Sequence, residues 1–423
     1  MKRLRAVFIG WLASVASTAC GVRETTASPF VPETSPSLDA LALPEPRIWY
    51  DPYAEVRWGT TLRLQAQTHD HAGVNSARLL AYDSAGYDFV PLMDYSGVAS
   101  LPFAQRRRLW PAESLLSPSV REQARNVKAW VPAAEEVGYQ HLISLFLRQY
   151  IAKWEPSLYA SREQWMYDDA QEAIRLVDSR GGFAILAHPW GHRSQFDGLS
   201  GYDGIEVYSA FAEHRFFTGT DTFFRERNRN LDLREAWDRA LLSGRLVVGV
   251  AVNDHHGPYR SATDVPPRVR DSGKIVVLTD SGTLAGFERA MRRGSILAIA
   301  DFGDNKGSYP LIDSAWTDGA RIHIATSGEV NWIVNGEALS DHGSSLLVST
   351  LPRGARYVRA EVRGTDGSTV FLQPTLLRPR GDVNGDFAVN RTDDEFCARV
   401  EAGADTTSRH RRACNDRPRP GTR

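Results

Sequence analysis

The sequence predicts an α/β domain with a largely parallel sheet, then a small antiparallel β domain, then a short polar tail. Three observations carry this. Between about residues 47 and 304, apolar strand-like runs alternate with helical periodicity, the texture of repeated βα units. From about residue 305 to 378, short strands punctuated by the turn dipeptides Asn335-Gly336 and Asp366-Gly367 replace the helices. From Gly381 to Arg423 the chain becomes rich in Asp, Asn and Arg.

The 423 residues suggest two or three domains. Hydrophobic residues at 42% and charged residues at 24% exclude wholesale disorder. Lys and Arg total 50 against 51 Asp and Glu, so there is no electrostatic footprint for nucleic acid.

At the start, Lys2, Arg3 and Arg5 precede an apolar stretch from Ala6 to Ala16, too short to span a bilayer comfortably. Small residues lead to Cys20 and Gly21. Residues 1–20 resemble a bacterial lipoprotein signal with Cys20 lipidated. Ser17 stands where that pattern prefers Leu, which leaves ordinary cleavage after Ala19 open. Either route implies export, to the cell envelope through a membrane-inserted lipid anchor or as a secreted protein. Residues 21–46, with Pro29, Pro32, Pro36 and Pro44, read as an extended linker. No later segment is long and apolar enough for a membrane helix.

Order is expected from Arg47-Ile48-Trp49-Tyr50. Leu62 to Ala66 alternates like a strand, and Phe89 to Met93 is a short apolar run after Gly86. Ala170, Ala173, Ile174 and Val177 recur at helical spacing until Gly181-Gly182, and Phe183 to Ala187 follows as a buried strand. Gly204 to Tyr208 and Leu246 to Val250 are further strands. Beyond residue 305, Ile322 to Ile324, Trp332 to Val334 and Val358 to Val362 read as strands.

Histidine placement carries the chemistry. His69-Asp70-His71 follows the first strand of the α/β region, and alternate residues on extended chain point to one side, so both imidazoles can face one ion. His188 and Asp254-His255-His256 also follow apolar strands. In α/β barrels such strand ends converge on the face where active sites form. A lone His-x-His is weak; three groups after three strands favour a metal site over loop histidines of no special role.

These segments resemble the polymerase-and-histidinol-phosphatase (PHP) superfamily of metal-dependent phosphoesterases, particularly secreted members with an appended β domain. Leu64 to His71 is similar to the first PHP motif. Gly86 to Tyr95 resembles the second, which normally ends Thr-Asp-His. Val131 to Glu135, with His141 following, resembles the segment that gives a bridging Glu and a further His. Gly182 to Pro189 is similar to the third motif and Val252 to His256 to the last.

The resemblance implies a distorted (β/α)7-type barrel with a dinuclear site of Zn, Mn or Fe. One metal would take His69, His71, Glu135 and Asp254; a second would share Glu135 and take His141 and His188. The implied activity is hydrolysis of a phosphoester or other small-molecule substrate by metal-bound hydroxide, the two ions lying roughly 3.5–4 Å apart. Tyr95 replaces the second-motif His, and residues 72–77 hold no His. Two metals are therefore expected instead of three, with His256 left to contact substrate or bridging solvent.

Asp94 either orients a ligand His or caps a loop. Spacing from Pro132 and to His141 favours Glu135 over Glu136 as the bridge, although Ala133 stands where Gly is usual. Glu206 lies in a segment similar to a common family one, and a structural role at a strand end fits it equally. His192, His214, His323 and His342 read as surface histidines. The Tyr95 and Ala133 departures leave a rival reading, a degenerate barrel acting as a cell-surface binding or scaffold module.

In the tail, Asp382, Asn384, Asp386, Asn390 and Asp393 match loop positions 1, 3, 5, 9 and 12 of a Ca²⁺ loop, with the Ala388 carbonyl at position 7; the alternative is a polar surface turn. The loop resembles a dockerin repeat, except that Phe387 replaces the usual Gly. A second repeat, starting near Cys414, dissolves into Arg417-Pro418-Arg419-Pro420, which disfavours a cohesin-type partner. Cys397 and Cys414 can pair in an oxidising compartment.

Overall fold

The first described strand, β1 (Pro46–Tyr50), pairs antiparallel with the last, β19 (Thr375–Pro379), so the ends of the α/β and β regions meet in one ladder. The computed structural model describes residues 45–69, 76–92, 95–96, 116–137, 141–148, 162–189, 198–210, 229–254, 272–301, 309–340, 342–380, 382–384, 387 and 391–402. The chain divides into two units, Met1–Ala42 and Leu43–Arg423. The first, with the expected signal, most of the linker and Cys20, lies outside the described residues. Among the described residues no helix is long and apolar enough to cross a membrane.

The α/β region contains β2 (Leu62–Ala66), α1 (Ser76–Ser84), β3 (Phe89–Leu92), β4 (Tyr95–Ser96), α2 (Pro118–Gln123), β5 (Ala129–Val137) and β6 (His141–Leu145). It continues through α3 (Arg162–Ser179), β7 (Phe183–Leu186), β8 (Gly204–Ser209), α4 (Arg229–Leu241) and β9 (Val248–Val252). Strands β2, β3 and β5 are parallel, β6 runs antiparallel to β5 and β7, and β7, β8 and β9 are parallel again. Every residue of β3, β7, β8 and β9 is buried, as strands covered on both faces require. The periodic residues Ala170, Ala173, Ile174 and Val177 of α3 are all in the core.

Among the described residues the expected distorted (β/α)7-type barrel does not close. Among the described residues no ladder joins β9 to β2, because the second edge of β2 is taken by β10 (Gly273–Thr279), antiparallel, with Ile275 opposite Ala66. Side-chain amides sew the gap instead. Gln67 donates to the Gly273 carbonyl and accepts from Asn253 N at 3.4 Å; Asn253 Oδ1 accepts from Gly273 N at 3.0 Å. Asp254 N then donates to the His69 carbonyl at 3.1 Å. A Cβ on Gly273 would lie 1.9 Å from the Val252 carbonyl oxygen, so only glycine lets β10 come this close to β9.

From β10 the sheet runs through β11 (Ile296–Ala300), with α5 (Leu284–Arg293) between them. α5 is capped by Thr283, whose hydroxyl accepts from Gly286 N, and by left-handed Gly294. The remaining strands are β12 (Ile312–Thr317), β13 (Arg321–Thr326), β14 (Glu329–Val334), β15 (Glu337–Ala338), β16 (Ser345–Leu347), β17 (Tyr357–Arg363) and β18 (Thr369–Leu372), followed by β19 and helix α6 (Arg391–Glu401). They are antiparallel, as their texture suggests. Most do not form a sheet of their own: β18 pairs with β11, giving a continuous sheet of sixteen strands, while β12, β13 and β16 form a separate sheet of three.

Strands β10 and β11 serve two cores by simple alternation. Ile275, Val277, Ile296 and Ala298 face the α/β core; Val276, Leu278, Leu297 and Ile299 face the core shared with Trp332 and Ile324. The outer edge of β12 is blunted. Arg63 donates to the carbonyls of Ile312 (2.6 Å) and Asp313 (2.9 Å), and the Trp58 indole donates to that of Ala315 (2.8 Å).

Candidate metal centre

Three ligand-competent residues reach one place because each follows its strand by a short fixed step. His69 stands three residues past β2, His188 two past β7 and Asp254 two past β9. His141 arrives differently. Strand β6 is antiparallel, so its first residue lies at that end, and the His141 carbonyl accepts from Ala187 N at 3.1 Å.

One ligand atom each from His69, His188 and Asp254 lie within 4.8 Å of one another. His69 Nε2 is 3.3 Å from Asp254 Oδ1, His188 Nε2 is 3.8 Å from Asp254 Oδ2, and His141 Nδ1 is 3.1 Å from His188 Nε2. The His69 and His188 rings stack at 5.8 Å; those of His141 and His188 meet edge to face at 4.7 Å. His69 and Asp254 are buried, and His188 is partly so.

Two of the ligand-competent residues sit on strained backbone. His188 has φ 28° and Asp254 φ 45°. Left-handed backbone at non-glycine residues costs on the order of 1–3 kcal/mol each and persists where its surroundings over-determine it. Here the His188 amide is held by Glu206 Oε2 at 2.7 Å and the Asp254 amide by the His69 carbonyl.

Glu206 is the residue that sequence reasoning undervalued. It lies inside β8, is fully buried, and its Oε1 is 2.6 Å from His69 Nδ1. Burial pushes its carboxyl above the ordinary glutamate value, and adjacent His69 partly opposes this. The available signal was a lone charge in an otherwise apolar strand, a costly placement unless something is paired with it.

The donor set fits a metal ion. Two imidazole nitrogens and a carboxylate oxygen suit Zn, Mn or Fe. Bonds of about 2.1 Å require ligand atoms no more than roughly 4.2 Å apart, so the three need close only slightly on an ion.

Of the other expected ligands, Glu135 is in β5, opposite Ile143 of β6 and beside Tyr95 of β4. Its side chain lies outside the described residues, as do His71, Asp94 and His256. His192 and His214 are outside too. His323 stacks on Trp316 and pairs with Asp318 at 3.0 Å, and His342 is exposed, both away from the cluster.

In the tail, Asp382 and Asp393 are fully buried. Asp393 Oδ1 accepts from Val383 N (2.7 Å) and Asn384 N (3.2 Å), and Asp382 Oδ2 accepts from Phe387 N (3.0 Å). Asp386, Ala388 and Asn390 lie outside the described residues. Cys397 is disulfide-bonded; Cys414, its expected partner, is also outside them.

Fold and site together define an α/β protein with a buried two-histidine, one-carboxylate cluster that can hold a divalent metal. No protein-family model and no curated protein matches the chain. Among solved structures it is similar to a two-domain protein from Bacteroides vulgatus containing a predicted PHP-like metal-dependent phosphoesterase. The two share 12% identity with a TM-score of 0.38, over 77% of this chain and 98% of that one.

Proposed function

We propose that the chain is an exported metal-dependent hydrolase acting on phosphoesters. The observation that carries this reading is the convergence of His69, His188 and Asp254 within 4.8 Å at the strand ends. Burying polar groups together is costly unless they are compensated, and a bound cation compensates them. When bound, a divalent ion supplies positive charge that polarises a phosphoryl group and activates solvent. The chain's own part is orientation. His69 is gripped from behind by Glu206, His188 by its amide, and Asp254 by the His69 carbonyl. The phosphoester class is supported by the order of the motif-like segments from Leu64 to His256.

The finer form of the reading has two ions, with Glu135 shared and His141 joining His188. The position of His141 beside His188 supports it. Export is supported by the signal-like residues 1–20. A Ca²⁺-stabilised tail is supported by the ligand spacing from Asp382 to Asp393.

Elemental analysis of the purified chain, with hydrolysis of an activated phosphodiester before and after chelation, tests the reading. About two transition metals per chain and chelator-sensitive turnover are expected. No metal under metal-replete conditions would overturn the hydrolase and favour a scaffold role.

A further inference from the structure

We infer that Glu206 is the positioning residue of this centre, one carboxylate that sets the tautomer of His69 and anchors the backbone of His188 together. The inference rests on the metal reading above. Oε1 lies 2.6 Å from His69 Nδ1, and Oε2 accepts the His188 amide at 2.7 Å. The two partners come from different strand ends, after β2 and β7, and Glu206 itself stands in β8, which pairs with β7. It thus ties three elements at one point.

A carboxylate offers acceptors only. Facing one, His69 carries its proton on Nδ1, and the lone pair of Nε2 is directed to the cluster, 3.3 Å from Asp254 Oδ1. The other oxygen is committed to a main-chain N–H that has no choice of role. Glu206 therefore cannot turn to serve one partner without abandoning the other. The same bond holds His188 at φ 28°, which places that second imidazole.

This arrangement makes a sharp distinction between Glu and its isostere. In Glu206→Gln one oxygen becomes an NH2. If the NH2 faces His188, two donors meet and the left-handed turn loses its anchor. If it faces His69, it donates to Nδ1 and the imidazole proton moves to Nε2, the nitrogen needed for the ion. Either orientation damages one ligand. A carboxylate that merely filled space in β8 would show no such effect, because Gln has the same size.

The experiment uses the full chain, stripped of metal, titrated with Zn²⁺ by calorimetry and labelled with ¹⁵N-histidine to read imidazole tautomers. In the wild type, His69 is expected with its proton on Nδ1. Glu206→Gln should bind Zn²⁺ about 10–100-fold more weakly, the range for losing a partner that orients a ligand. It should also show either His69 protonated on Nε2 or a perturbed His188 signal. Equal affinity with unchanged His69 and His188 signals would overturn the inference. Should the variant fail to fold, the Zn²⁺-loaded wild type still decides: His69 bound to the ion through Nδ1, with its proton on Nε2, overturns it. A wild type that takes up no Zn²⁺ removes the metal reading, and this inference with it.

Discussion

Two buried polar clusters in this fold use similar carboxylates and reach opposite balances. Where α4 meets β17, Arg359 donates to both oxygens of Asp238 (2.6 and 2.8 Å) and to Glu361 (2.8 Å). Arg234 lies 3.4 Å from Glu361, and the Tyr357 hydroxyl donates to Asp238 at 2.8 Å. Arg363 also lies 3.9 Å from Glu361, so two carboxylates meet three guanidiniums. At the strand ends, Glu206 and Asp254 are again two carboxylates, but they meet imidazoles, which are neutral when they act as ligands. A buried ion costs several kcal/mol unless compensated. The seam carries its compensation within the chain; the strand-end cluster has a place for a cation. The source of positive charge separates a structural cluster from one that could hold a cation.

The largest expected effect breaks the comparison at its ligand-taking end. Asp254→Asn keeps the shape and tolerates the left-handed backbone. It removes the only carboxylate of the three-residue ligand group. Metal content should collapse, and turnover should fall by roughly 10³-fold or more, since the ion supplies several kcal/mol of transition-state stabilisation. The metal-free chain should be no less stable, because a buried charge is gone. Metal analysis, phosphodiester assay and thermal melts check the three parts.

Arg359→Ala should give the opposite pattern. It leaves Asp238 and Glu361 buried without their main cation, a loss of about 3–5 kcal/mol. Melting should shift down strongly, while metal content per folded chain stays that of the wild type. A variant with normal melting and lost metal would invert the comparison.

The sign of the charge balance can also be read from pH. Burial works to raise the Glu361 carboxyl, but Arg359 and Arg234 outweigh it and hold the group below its ordinary value of 4.5. A folded value below the unfolded one stabilises the native state above the unfolded value. That stabilisation is lost as pH falls through the folded value. Glu361→Gln should therefore flatten the dependence of melting temperature on pH below 4.5, leaving other acidic groups to supply the rest. An unchanged slope would mean that Glu361 is not held ionised by the seam.

How much of this was legible depended on whether the information was local. An apolar run followed by a ligand-competent residue is a local pattern, and it located His69, His188 and Asp254 at strand ends. Glu206 was not legible as a clamp, because its partners come from β2 and β7 and the sequence shows only a charge inside a strand. The open sheet was hidden for a similar reason: β10 had to be known to occupy the free edge of β2. The change of texture near residue 305 marked antiparallel strands correctly but not their partners, since β18 finds β11 across a long stretch of chain. The apolar residues on both faces of β10 and β11 were the available hint that two cores share these strands.

The smallest effect concerns a third pair of buried carboxylates, Asp382 and Asp393, in the tail. Phe387 adopts φ 60° where a calcium loop usually has glycine. A Cβ on Gly244 would lie 2.3 Å from its ring, and the Arg356 guanidinium sits over the ring at 4.3 Å. Strain at Phe387, on the order of 1–2 kcal/mol, is thus set against ring packing and a cation–π contact worth roughly 0.5–2 kcal/mol. Phe387→Gly removes both and should leave melting nearly unchanged. Phe387→Ala keeps the strain and loses the contact, so it should be the less stable of the two by about 1 kcal/mol. In both variants the tail loses its grip on Gly244 and Arg356. Trypsin should therefore cut more readily after Arg399, and Ca²⁺ should slow that cleavage by ordering Asp382 and Asp393 around the ion. Equal melting of the two variants would show that the left-handed backbone at Phe387 carries no cost. Cleavage indifferent to chelator would make the loop a polar turn, complete without an ion as the Arg359 seam is.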